Sequence, residues 1–215
     1  LITELVSPGG VRVLGDYAFY NCTLLESVKM SNGVAKIGSY AFFGCTGLKT
    51  VTMAEGVETI GAEAFNGCTS IKTVTLPESL KAVNTSAFYK CTALTAIEIP
   101  GGVTRISDSA FENCNGIRSI VINEGTTAIG NYTFKNCTAV ANLTLPDGLL
   151  DIGISAFEEL RSLTAVKLPD SVTTIHFEAF RNCTNLAEIN FPLGWTSAPT
   201  HNGYYDGPNY QGQIF

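Results

Sequence analysis

The sequence is poor in charge, in histidine and in long apolar runs. Asp, Glu, Lys and Arg make up 15% of the 215 residues, and the formal net charge is −6. The 13 basic residues are scattered along the chain. Without clustered Lys and Arg a phosphate backbone has nothing to hold, which argues against a nucleic-acid partner. No apolar run approaches the roughly 18 residues a bilayer span requires, so no membrane insertion is expected. No signal peptide is visible. The chain opens at Leu1 rather than Met, so removal of a preceding part is expected.

Chemistry-bearing motifs are equally scarce. The two histidines, His176 and His201, have no Cys, His or acidic residue at ligand spacing and read as exposed turn residues. No G-x-S-x-G, Walker loop, H-E-x-x-H or G-x-G-x-x-G occurs. The adjacent carboxylates Glu158 and Glu159 read as a solvated face. No catalytic residue, cofactor or metal is therefore expected, and the chain does not read as an enzyme.

What the sequence has instead is a period. Phe19, Phe42, Phe65, Phe88, Phe111, Phe134, Phe157 and Phe180 follow one another every 23 residues. Cys22, Cys45, Cys68, Cys91, Cys114, Cys137 and Cys183 keep the same step, with Leu160 in the one remaining place. Copies without insertion or deletion mean a stack, in which each coil is too small to bury a face alone and its neighbours complete its core. The seven cysteines are odd in number, so they cannot all pair within the chain. A place that also accepts Leu is apolar and interior, so the column reads as buried free thiols.

Within a coil the columns are legible one by one. A Leu column (Leu25 to Leu186) is followed by two columns that alternate with polar residues, Val28 to Ile189 and Met30 to Phe191. Alternation at period two is a strand signal. One short strand per coil predicts a long parallel sheet along one side. Proline at 77, 100, 146, 169 and 192 ends the strand, because it has no N–H for a ladder. A second apolar pair, such as Val57 and Ile60, predicts an extended segment on the opposite side. Ser107-Asp108-Ser109-Ala110-Phe111 carries N-cap chemistry, so a short helical turn is expected there in each coil.

The ends depart from the pattern. Ile2, Leu5 and Pro8 fall on repeat columns, so residues 1–10 form a partial first repeat and the repeat domain runs over 1–192. Residues 193–215 hold no repeat, contain the only Trp and three Tyr, and are rich in Gly, Pro and Asn. A cap over the last coil is the first reading of this tail; a linker or a binding segment are the others.

The column pattern resembles the Treponema-type leucine-rich repeat of the BspA-like surface proteins, C-x-x-L-x-x-I-x-L-P-x-x-L-x-x-I-G-x-x-A-F. CTSIKTVTLPESLKAVNTSAF (Cys68–Phe88) and CTALTAIEIPGGVTRISDSAF (Cys91–Phe111) carry nearly all of it. Leu160 for Cys, Thr133 for Ala, and Ser31, Ala54 and Asn123 for Pro depart from it. The resemblance covers Val11–Pro192. It implies a right-handed solenoid, export to a bacterial cell surface and protein binding in adhesion, and it brings no catalytic residues.

The outward strand positions are the expected interaction surface. One row holds Lys29, Thr52, Thr75, Glu98, Thr144 and Lys167. A second holds Thr50 and Thr73, and a third Lys49, Lys72 and Arg118. With strands ~4.8 Å apart, nine of them give a face roughly 40 Å long, fit for an extended partner. The sequence thus reads as a leucine-rich-repeat solenoid of eight coils, a monomer that binds an extracellular protein or glycan. The competing reading is a spacer or assembly module in a larger bacterial surface protein.

Overall fold

The computed structural model describes residues 2–191. Every coil contributes one strand to each of two sides. On the first side lie β1 (Glu4–Val6), β3 (Ser27–Lys29), β5 (Thr50–Thr52), β7 (Thr73–Val74), β9 (Ala96–Ile99), β11 (Ser119–Ile122), β13 (Asn142–Thr144), β15 (Ala165–Lys167) and β17 (Glu188–Asn190). On the second lie β2 (Val13–Leu14), β4 (Lys36–Ile37), β6 (Thr59–Ile60), β8 (Ala82–Val83), β10 (Arg105–Ile106), β12 (Ala128–Ile129), β14 (Asp151–Ile152) and β16 (Thr174–Ile175). All pairing is parallel, and each residue faces its counterpart 23 positions on, as Val28 faces Val51 and Ile106 faces Ile129. The period in the sequence is therefore the register of the ladders.

The two sides differ from expectation in continuity. The second side, expected only as extended segments, is one uninterrupted sheet of eight strands. The first side is split into β1-β3-β5-β7, β9-β11-β13 and β15-β17. Asn123 shows what proline removes: its N–H donates to Ile99 O at 3.0 Å and helps close the β9–β11 ladder. Both breaks fall between coils that each carry proline at this place, Pro77 and Pro100, then Pro146 and Pro169. Proline has no N–H for that bond. Pairing persists in β5–β7 and β11–β13, where Pro77 and Pro146 stand in that same donor place, and in β15–β17, so the missing N–H does not by itself account for the breaks.

The expected helical turns do not form; no helix occurs among the described residues. Each coil instead holds two residues of positive φ, two positions before the Phe and two after it. They run from Ser155 at 51° to Gly67 at 73° and include Ser86, Lys90, Ser109 and Asn113. Left-handed residues cannot continue a right-handed helix. The N–H groups alternate accordingly. Ala18, Tyr20 and Cys22 donate three residues back to Gly15, Tyr17 and Phe19, while Tyr17, Phe19 and Asn21 donate to Ser39, Ala41 and Phe43 of the next coil. Asp108, expected to cap a helix, accepts the Asn131 N–H at 3.0 Å and so ties two coils together.

The core is a set of columns along the stack. Phe42 to Phe180 are fully buried, and successive rings are stacked 5.1–5.7 Å apart. The cysteines are free and buried, except Cys22 in the first coil, which is half-buried. Each buried thiol donates to the carbonyl of the Phe one coil back, for example Cys68 to Phe42 O at 3.1 Å and Cys114 to Phe88 O at 3.0 Å. The column thus favours a small apolar side chain with a donor. Leu160 fits because Phe134 O still accepts the Cys137 N–H. Burial pushes the thiols up, Cys45 and Cys183 to about 11 and Cys91 and Cys137 well above the ordinary range. The expected cap at 193–215 lies outside the described residues.

Candidate binding face

Alternation along each strand of the first side puts one set of side chains inward and the other outward. Val51 is buried between exposed Thr50 and Thr52, and Val166 between exposed Ala165 and Lys167. All of the expected face residues are exposed: Lys29, Lys49, Thr50, Thr52, Lys72, Thr73, Thr75, Glu98, Arg118, Thr144 and Lys167. The ladders bring several together, with Lys29 beside Thr52, Thr50 beside Thr73, and Glu98 and Thr144 on either side of Val121. The sheet breaks separate the others: Thr75 from Glu98, and Thr144 from Lys167.

Charge on this face is organised in bands. Lys49, Lys72 and Arg118 stand just before their strands and line up along the stack through the bonds Thr95 N–H to Lys72 O and Arg118 N–H to Thr95 O. Lys49 is partly neutralised by Glu26 at 2.9 Å, an exposed pair worth at most about 1 kcal/mol. A second band was missed in the sequence. Glu55, Glu78, Glu124 and Asp147, all one residue past the proline column, are exposed along the opposite margin. Glu55 accepts the N–H groups of Glu78 and Ser79, and Glu124 accepts that of Asp147 at 2.9 Å. Reading the column after proline would have found it. The face therefore runs from a basic margin to an acidic one in the direction of the strands.

Each sheet break opens a groove in this face. The one between β7 and β9 has a volume of about 400 Å³ and is lined by Thr73, Thr75, Leu76, Glu78, Ile97, Glu98 and Val121 among others. The one between β13 and β15 has about 240 Å³, with Asp147 and Lys167 in its lining.

Two expectations away from the face need correction. His176 is not a bare turn residue: its Nε2 lies 3.0 Å from Asp151 Oδ1, with Arg105 reaching the same carboxylate at 4.0 Å. The partner is one coil and two residues away, a spacing that only the repeat makes short. Glu158 is not part of a solvated face. It is buried, and its carboxylate meets Lys135 at 2.8 Å from the coil before, which raises the Lys135 pKa through that hydrogen bond. Among the described residues no group of three or more His, Cys, Asp or Glu is placed to hold a metal ion. No helix among them is long and apolar enough to cross a membrane.

Comparison with known proteins agrees with this architecture. The family described as "BspA type Leucine rich repeat region" matches residues 12–138 and 104–202. The crystal structure of a T. pallidum leucine-rich repeat protein superposes with a TM-score of 0.71 at 26% identity, over 75% of this chain and 78% of that one. A leucine-rich repeat protein from Eubacterium ventriosum superposes with a TM-score of 0.53 at 16% identity, over 94% and 87% of the two chains, a likeness of fold alone. No curated protein matches the chain.

Proposed function

Since the chain belongs to the BspA-type leucine-rich repeat family, we propose that it is a non-catalytic binding domain that works outside a bacterial cell. It holds an extended protein or glycan along the strand face. The observation that carries this reading is the alternation of that face. Rigid inward columns hold exposed Lys, Thr and Glu side chains in register over successive coils. Such a preorganised array costs a partner little ordering on the protein's side. The test is binding of the purified chain to extracellular-matrix proteins and glycans at two salt concentrations. Saturable binding that is lost on charge reversal at Lys49, Lys72 and Arg118 supports the reading. Binding that ignores those changes moves the site off this face.

A further inference from the structure

We propose that the groove between β7 and β9 receives a lysine or arginine side chain from an extended protein segment lying on the strand face. The inference rests on the reading of that face as the binding surface and names the chemistry one part of it selects. Its first support is the fold. The ladder is interrupted here although the turns on either side keep their bonds, such as Thr95 N–H to Lys72 O at 3.0 Å. The interruption leaves a groove of about 400 Å³, against about 240 Å³ at the β13–β15 break.

Its second support is the lining. Val121, outward beside Glu98, together with the edges of buried Leu76 and Ile97, gives an apolar floor, and Glu78 and Glu98 supply the charge; no Lys or Arg lines the groove. Neither carboxylate takes part in the ion pairs among the described residues. Glu98 accepts one hydrogen bond, from Asn123 Nδ2 at 3.0 Å. A long cationic side chain fits this combination, its methylene stem along the floor and its head at the carboxylates. The groove at the other break is an internal control. There Asp147 is accompanied by Lys167, so that groove has no excess of either sign.

The experiment titrates the intact chain with short Gly/Ser/Thr peptides, identical except for a central Arg, Lys, Gln or Glu, and follows backbone amides by NMR. Neutral oligosaccharides are the second probe. The Arg and Lys peptides are expected to shift residues 73–78 and 96–98 saturably, the Gln and Glu peptides not. The double variant E78Q/E98Q, which alters only exposed side chains, is expected to weaken binding on the order of tenfold. The inference is overturned if the Gln peptide binds as well as Arg, if E78Q/E98Q changes nothing, or if sugars occupy the groove without a preference for cations. Equal shifts in the β13–β15 groove overturn it as well. Shifts confined to Lys29 or Thr50 would sink the groove while leaving the strand face as the binding surface; failure of the charge reversals at Lys49, Lys72 and Arg118 would sink the face itself.

Discussion

Truncation of Phe111 to Ala probes the column that holds the stack together. The ring is fully buried. It lies 5.2 Å from the ring of Phe88 at 3° and 5.3 Å from that of Phe134 at 6°. Removing it empties a site whose neighbours are fixed by ladders above and below, so little collapse can repair the hole. Buried Phe truncations cost about 3–5 kcal/mol. Two ring contacts vanish together, each worth about 0.5–1.5 kcal/mol beyond area, which places Phe111→Ala toward the upper end. Phe19 is the comparison. It is half-buried and, among the described residues, stacks on Phe42 alone, at 5.2 Å, so Phe19→Ala should cost about half as much. The assay is urea unfolding followed by far-UV circular dichroism, with amide exchange in the flanking coils to detect local opening, since each coil leans on its neighbours. A loss below about 1 kcal/mol for Phe111, set against the usual cost of core truncation, would mean that the Phe column does not hold the stack. So would equal losses for Phe111 and Phe19.

Two further predictions concern other features of the coil. Burial raises the folded-state pKa of the thiols, to about 11 for Cys45 and Cys183 and well above the ordinary range for Cys91 and Cys137. Their stabilising contribution is therefore complete below the unfolded value near 9 and is lost as pH rises above it. Urea midpoints should be flat between pH 6 and 8 and fall toward 11. Cys91→Ala should flatten that fall by about 1.4 kcal/mol per pH unit, and an unchanged slope would contradict the assignment. Gly125 adopts φ 109°, and a Cβ there would collide with Gly101 O. Gly125→Ala should cost roughly 1–3 kcal/mol. Gly148→Ala, in the same column with nothing nearer than 3.9 Å, should stay within about 0.5 kcal/mol in the same unfolding assay.

How much of this was legible follows from where each interaction lives. The Phe, Cys, Leu and Val columns could be read from the sequence because identity at a step of 23 is itself the contact. The outward rows followed from alternation. What escaped the sequence depends on departures from the repeat. Ser86 and Lys90 adopt positive φ although neither is Gly or Asn, because the coil, not the residue, dictates the backbone. Lys135 and Glu158 meet only because they fill the same column in successive coils. His176 finds Asp151 by the same arithmetic with an offset of two. The sheet breaks were not legible, because a proline in the strand-ending column occurs both at broken junctions and at paired ones such as β5–β7 and β11–β13.

Each strand of the first side presents its alternate side chains to a solid core and to an open face. Thiol accessibility measures both at once. Cysteines introduced as T52C, T75C and T144C, one per variant, should react with a soluble thiol reagent at the rate of a free thiol. In the same folded molecules Cys91, Cys114 and Cys137 should stay unmodified until the chain is unfolded, since all three are fully buried. Protection of the introduced thiols, or rapid labelling of Cys91, Cys114 or Cys137 in the folded chain, would contradict the division of the coil into core and face.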